Sequence, residues 1–561
     1  MLTFKDIFFK KRNLLIILFV IFVFLRIFWS NDSILLSSDP LKFLETSKRF
    51  PNHTLYNDQL YLLHPPGYPY IIHFFTFVFQ QDYIASIALS LVSTIITFFV
   101  VYKLFMLITN SFNLTFFVLL FYTLSDSLII ASRVPLRESF IIMLILSSIY
   151  LYLKGVKFYN KKSIVYATLI GGLLAITSDH VVLLFPALVL TYLFFNKEKI
   201  NLRRLKFPNI SYIVIPLVII SLSYGSWTAV KFYQYSQYEY YPNGHSGMPI
   251  HITDLGLLQT INPQFFEDYY GTRFADSKFV SFVKKMLFNL GYMINLEPFD
   301  IPRGLNFTTM EFLLFPRHIL YMFIIYLPLA LIAVYGVYSI FRDLIKSRKI
   351  YGNVNLFILL LFLIFTFPAT QQLASPRYIL TSYIFVFYFI SYGLVTLLEK
   401  KISTKMQTKF LAFIAVLLIL LVPFWYYGNN HFVLFTDKEV VVRNTGEYIK
   451  NNIPENSGIM AQPGYNVGLI YRTGNRMIGL HGDPSQIPLL IDKFNISYIV
   501  VGDYFTYEAF HLAQESVEYV KNNTDKFELV ATIQEDYSDF FVEDDPIRTD
   551  EVYVYRVKDE K

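Results

Sequence analysis

The 561-residue sequence has no cysteine. Disulfides, thiolate nucleophiles and cysteine-ligated metal sites are therefore excluded. Charge is scarce as well. Asp, Glu, Lys and Arg make up 16% of the chain, against about 25% in an average soluble domain. There is no internal repeat, no low-complexity tract, and no basic run interleaved with aromatics of the kind that grips RNA or DNA. What is present is apolar: 54% of residues are hydrophobic and 18% aromatic, with a formal net charge of +6. A balance of this kind reads as a membrane protein whose excess Lys and Arg sit in cytoplasmic loops.

A helix needs about 20 apolar residues to cross a bilayer. The first apolar run, 13–29, follows Lys5, Lys10, Lys11 and Arg12 and has no small-residue cleavage site behind it, so it reads as an uncleaved span. Further runs lie at 84–104, 112–130, 138–154, 163–178, 180–196, 210–230, 313–341, 354–369, 378–398 and 410–427, giving about eleven spans in all. Positive clusters follow alternate spans: Lys154, Lys157, Lys161 and Lys162; Lys197, Lys199, Arg203, Arg204 and Lys206; Arg342, Lys346, Arg348 and Lys349; Lys400, Lys401, Lys405 and Lys409. The positive-inside rule then places the N-terminus in the cytoplasm and, with an odd number of spans, the C-terminus outside. The expected fold is a polytopic α-helical membrane domain over 1–428, with outside loops at 30–81 and 231–312. A small extracytoplasmic α/β domain follows over 429–561, because strand-like runs such as "SGIMAQ", "ISYIVVGD", "FELVATI" and "EVYVYRV" alternate with helical patterns there.

The first outside loop carries the most chemistry. Ser38-Asp39-Pro40 looks like a helix start, a capping side chain followed by a first-turn proline. A short helix over 40–50, with Leu41, Phe43 and Leu44 on its apolar side, would then lie along the membrane surface. Next comes "LLHPPGYPYIIHFF". Its three prolines predict a bent, non-helical entry into the membrane, with Pro65 and Pro66 holding His64 at the break. Downstream stand "SDSLIIASRVPLRESFIIMLIL", "LIGGLLAITSDHVVLLFPALVL" and "SPRYILTSYIFVFYFISYGL".

In order, spacing and shared outside placement, these motifs resemble the GT-C superfamily of membrane glycosyltransferases. The nearest branch holds the protein O-mannosyltransferase-like and lipid A aminoarabinose transferase-like enzymes. Asp39 matches the acidic position of the first loop, where Pro40 replaces the usual Glu. His64-Pro65-Pro66 matches the Lys- or His-Pro-Pro element. Arg133 and Glu138 match an Arg and an acid that open a span, and Arg377-Tyr378 matches a late Arg-Tyr pair. Where the family often has Lys, this chain has Asp179-His180. The resemblance implies a sugar donor carried on a polyprenyl phosphate, a hydroxyl acceptor (lipid, glycan or protein), an outer-face site and inversion at the sugar. In that frame Asp39 is the candidate base and Glu138 a second acid that positions the acceptor or helps to hold a metal. His64, Arg133, Arg137 and Arg377 would bind the donor phosphate, while Pro65, Pro66 and Tyr378 shape the site.

Other polar groups have plainer readings. Asp179-His180 reads as a polar turn, and Asp126 as a helix cap. Glu239, His245, His251 and Asp254 in the long loop match no strong metal template. No cofactor is called for; a divalent metal is left open. Five glycosylation sequons, at Asn31, Asn52, Asn306, Asn495 and Asn522, fall in the outside segments. Two other classes stay open: a transporter or flippase of lipid-linked glycans, and a non-catalytic membrane assembly protein. Transporters, however, usually show internal repeats and mid-membrane polar groups, whereas here the polar motifs gather at one face.

Overall fold

A computed structural model of the chain describes residues 11–27, 65–132, 137–196, 210–237, 327–347, 353–366, 380–401, 443–455, 457–462, 477–480, 484–502, 514–536 and 549–558, and a few isolated positions including 43–44 and 47–48. The N-terminal part is helical: α1 Lys11–Ile27, α2 Gly67–Phe79, α3 Asp82–Thr109, α4 Phe112–Leu124, α5 Asp126–Ala131, α6 Glu138–Phe158, α7 Lys161–Ala175, α8 Val181–Phe195, α9 Ser211–Gln237, α10 Leu327–Ser347, α11 Val354–Thr366 and α12 Leu380–Lys401. Each expected span except 410–427, which lies almost wholly outside the described residues, overlaps one of these helices. Five of the described helices (α3, α6, α9, α10 and α12) contain a stretch long and apolar enough to cross a membrane. Four more, α2, α4, α8 and α11, are apolar but shorter. The protein is an integral membrane protein.

One sequence expectation changes here. The proline string is not non-helical throughout: α2 begins within it, at Gly67, while 62–64 lie outside the described residues. Proline is tolerated in a first helical turn, where the amide it removes has no partner anyway; Pro66 is the N-cap and Pro69 the third helical residue. The apolar helix α2 therefore occupies the end of the segment that was expected to be an outside loop. The short helical segment of the first loop faces inward with its apolar side. There Phe43 and Leu44 are buried (3% and 0% exposed), packed into the protein core.

The turns between helices are tight and locally specified. The Asn160 side chain accepts from the Ser163 amide (3.2 Å) at the start of α7, and Ser111 from the Leu114 amide (3.4 Å) at the start of α4. Helices α2, α3 and α6 end on left-handed residues, Gln80, Asn110 and Tyr159. In the interior, α3 buries a polar stripe of Ser86, Ser90, Ser93, Thr94 and Thr97. Ser93, Thr94 and Thr97 donate back to carbonyls four residues earlier (2.6–2.8 Å), so no hydroxyl there is left unpaired in an apolar setting. Helices α10 and α12 approach so closely that a Cβ on Gly336 would lie 2.1 Å from the Phe389 carbonyl oxygen, and one on Gly393 2.3 Å from that of Ile332. Small residues at such a crossing allow the backbone contact that drives helix association where lipid supplies no hydrophobic force.

Beyond the helices, residues 443–558 contain α13 Arg443–Asn452, β1 Gly458–Ala461, β2 Met477–Gly479, α14 Ile487–Phe494, β3 Ile496–Gly502, α15 Gln514–Asn522, β4 Phe527–Asp536 and β5 Thr549–Val557. The strands form one sheet in the order β2-β1-β3-β5-β4, parallel across β2, β1 and β3 and antiparallel at β5. Each face of the sheet carries its own core. Ile449 and Ile453 pack with Leu469 and Val500 on one face; Ile487, Leu490, Val517 and Val520 pack with Ile499 and Val501 on the other.

Candidate active site

The described candidate residues converge at one end of the helical bundle. Four chain segments meet there: the start of α2, the start of α6, the turn between α7 and α8, and the short helical segment around residue 43. Gly67 joins the first to the third. Its amide donates to the Ile176 carbonyl at 2.7 Å, and a Cβ at Gly67 would sit 2.6 Å from that same oxygen. Glycine is required by this approach, and Pro65 and Pro66 direct the chain into it.

Tyr68, fully buried, sits at the centre. Its ring stands edge-on to Phe43 at 5.3 Å and lies 6.0 Å from Phe140. Its hydroxyl reaches Ser86 and Ser90 of α3, at 3.4 and 3.5 Å. The contact with Phe140 brings the start of α6, which carries Arg137 and Glu138, next to this ring. The short segment is tied down again where His73 Nδ1 meets the Ser47 carbonyl at 3.0 Å and Lys48 approaches Asp82 at 3.8 Å.

Arg137 and Glu138, at the amino end of α6, are 4% and 8% exposed. The Arg137 guanidinium lies over the Phe43 ring at 5.5 Å, a cation–π contact. Its Nη1 finds no hydrogen-bond acceptor among the described residues. A buried guanidinium N–H without an acceptor is expensive. Helix α6 also has no side-chain N-cap bond at Arg137, so the positive end of its dipole is open to an anion. These features suit an oxyanion, and a carboxylate stands one residue away. On the α7–α8 turn, Ser178 Oγ bonds His180 Nδ1 at 2.8 Å and accepts from the His180 amide at 3.2 Å, while Asp179 is buried at 5% exposure. The polar turn read from sequence is thus a built side-chain turn packed beside Gly67.

Of the residues the sequence singled out, Arg137, Glu138, Pro65 and Pro66 are brought to this end. Asp39, His64, Arg133, Arg377 and Tyr378 lie outside the described residues, as do Glu239, His245, His251 and Asp254. Among the described residues no group of three or more His, Asp or Glu could hold a metal ion. Sequence reasoning missed Phe43, Gly67, Tyr68 and Arg26. The last is 3% exposed at the end of α1; its Nη1 and Nη2 donate to the Thr123 and Tyr122 carbonyls (3.2 and 3.1 Å), and its guanidinium stacks on Phe22 at 3.9 Å. It closes the carboxyl end of α4, where a cation suits the helix dipole.

Residues 63–224 match the family model of the dolichyl-phosphate-mannose-protein mannosyltransferases. That stretch holds the proline element, Tyr68, Arg137, Glu138 and the α7–α8 turn. Among solved structures, the chain is similar to ArnT from Cupriavidus metallidurans bound to undecaprenyl phosphate, with a TM-score of 0.52, 9% identity and 97% of each chain covered. It is similarly related to the apo state of that protein, with a TM-score of 0.51, 10% identity, and 96% of this chain and 97% of the other covered. No curated protein matches the chain by sequence.

Proposed function

We propose that the protein is an inverting glycosyltransferase that moves a sugar from a polyprenyl-phosphate donor to a hydroxyl acceptor at the outer face of the membrane. The observation that carries this reading is the buried Arg137 guanidinium at the uncapped start of α6, with Nη1 lacking an acceptor among the described residues. A lipid-borne phosphate supplies the oxygens this group lacks, and the solved structure of similar fold holds undecaprenyl phosphate. His64, Arg133 and Arg377 complete the phosphate contacts by family resemblance. In the reaction the acceptor oxygen attacks the anomeric carbon, the bond from that carbon to the phosphate oxygen breaks, and polyprenyl phosphate leaves as an anion without needing an acid. Asp39 takes the proton from the attacking hydroxyl, and Glu138 holds that hydroxyl in line. Both termini follow the charge pattern: the N-terminus is cytoplasmic, and the tail lies outside on the side of Asp39.

The test is to incubate the purified protein with a panel of polyprenyl-phosphate sugars and to measure released polyprenyl phosphate with and without hydroxyl acceptors. Release with one donor and sugar incorporation into an acceptor are expected. Unchanged donor across the panel, with donor bound, would sink the enzyme reading. Topology is tested by single introduced cysteines, which need no background removal because the chain has none. Labelling of the tail only from the cytoplasm would overturn the orientation.

A further inference from the structure

The first half of α2 is buried, with Gly67, Tyr68, Pro69 and Ile72 packed inward. The second half is open. Phe74, Phe77 and Val78 are 60%, 71% and 75% exposed, and Phe79 is exposed beside them. The helix contains no Asp, Glu, Lys or Arg. Apolar side chains so open are costly in water, at about 25 cal/mol for each Å² of apolar surface. Yet α2 is not a span. Its 13 residues reach about 20 Å, short of the roughly 30 Å hydrocarbon core of a bilayer. Its start is also pinned, by the Gly67 amide on the Ile176 carbonyl and by the buried Tyr68 ring.

Two neighbouring features indicate what covers this flank. The first is α3, which is long and apolar enough to cross a membrane. It turns Ser86, Ser90, Ser93, Thr94 and Thr97 inward and leaves Ile84, Val92, Ile96 and Phe99 exposed. These four fall on one face of the helix, the face that a spanning helix gives to lipid. Ile84 follows Phe79 by five residues, so the open flank of α2 continues into the lipid-facing side of α3. The second is the turn between the two helices. Gln80 and Gln81 are exposed, Asp82 opens α3, and Lys48 approaches that carboxylate at 3.8 Å. Polar and charged groups thus gather at the tip with apolar rings directly beside them, which is the order of groups across a membrane–water interface.

We propose that α2 is a non-spanning helix seated in the outer leaflet, with Phe74, Phe77 and Val78 against lipid acyl chains and the turn from Gln80 to Asp82 in the headgroup layer. The consequence is one of depth. Tyr68 reaches Ser86 and Ser90, which follow Asp82 by four and eight residues along α3, or about 6–12 Å. Seated in this way, α2 holds the start of α6 close under the headgroups, where a lipid-borne phosphate meets Arg137 without leaving the leaflet. That consequence rests on the transferase reading, and the choice of leaflet rests on the charge pattern; the lipid seat rests on neither. The experiment uses the full-length protein in phosphatidylcholine proteoliposomes. It carries a nitroxide on one introduced cysteine at a time: Phe77→Cys, Val78→Cys, Gln81→Cys or Val92→Cys. Collisions are read by EPR with oxygen, which concentrates in hydrocarbon, and with a neutral nickel chelate, which stays in water. The ratio of oxygen to nickel collisions should rise from Gln81 to Phe77 and Val78, and rise again at Val92. Val78 as open to nickel as Gln81 would put the flank in water and overturn the seat. Few collisions with either reagent at Phe77 and Val78 would mean a protein cover, from a second copy or from this chain, and would overturn it equally. The leaflet is read at Gln81→Cys with a membrane-impermeant maleimide on intact cells. Labelling from outside is expected; labelling only after the membrane is opened would overturn the outer leaflet and the orientation, and leave the lipid seat to stand on the EPR depths. Donor turnover enters none of these readouts, so failure of the transferase reading is told apart from failure of the seat.

Discussion

Two buried charges, one in the tail and one in the helical bundle, sit at comparable depth and have opposite surroundings. Glu535, 1% exposed, caps α13 across 90 residues of sequence: its Oε2 accepts from the Asn444 amide at 3.1 Å and its Oε1 from the Thr445 amide at 2.6 Å. Asn444 Nδ2 adds a bond to the Gln534 carbonyl at 2.8 Å. Arg137, 4% exposed, is held by a ring face and keeps Nη1 without an acceptor among the described residues. Each carboxylate oxygen of Glu535 has a donor, which marks a structural group. Arg137 Nη1 has no acceptor among the described residues, and in the proposed reading it is waiting for the donor phosphate. Depth alone does not separate the two.

The largest expected effect lies on the waiting side. Asp39→Asn should lower donor turnover by about 10²–10⁴-fold, the usual range for a general base, with donor binding little changed. If Asp39 serves only as a cap, this substitution is nearly silent, since asparagine caps about as well; near-normal turnover by the folded variant decides it. Arg137→Met comes next. Loss of charge-assisted bonds worth about 1.5–3 kcal/mol should weaken donor binding about 10–100-fold, measured with a radiolabelled polyprenyl-phosphate sugar. Unchanged binding would make Arg137 a structural cation like Arg26.

On the structural side, Glu535→Ala should destabilise the tail by about 1–2 kcal/mol, the scale of a lost helix cap, read by limited proteolysis of the tail. Donor release without acceptor should stay at the wild-type rate. If it falls with Arg137→Met, the contrast between the two charges dissolves. The smallest effect is expected for Tyr68→Phe. Its hydroxyl contacts are long, at 3.4 and 3.5 Å, so about 0.5–1 kcal/mol of stability should be lost with the ring cage intact. Thermal unfolding of the detergent-solubilised protein measures it.

The apolar helices were legible because hydropathy is a local property of sequence, and the long strands β3, β4 and β5 were legible because alternating and β-branched runs are too. Helix α2 was misread. Three prolines suggested a break, yet two of them occupy the N-cap and first turn, where proline is at home. Strand β2 is three residues long, too short for any period to show. At the site, Arg137 and Glu138 could be found from the order of the motifs. The cage of Phe43, Tyr68 and Phe140 could not, because it is assembled through space by segments far apart in sequence. Arg26 stayed hidden for a related reason. An arginine at the end of an apolar run reads as an interfacial anchor until the carbonyls of Tyr122 and Thr123 are seen beneath it.

Those carbonyls have a bearing on biogenesis. Helix α1 leaves the ribosome well before α4, and until α4 inserts, the Arg26 guanidinium has neither of the two carbonyls from α4 that it holds in the finished protein. An arginine within a membrane helix is costly, about 2.5–3.5 kcal/mol at the centre on insertion scales, so α1 should ride with Arg26 in the headgroup layer and settle only when α4 arrives. The first of the described helices would then be among the later ones to reach its final depth, and a nascent chain stalled before residue 122 should leave Arg26 open to water.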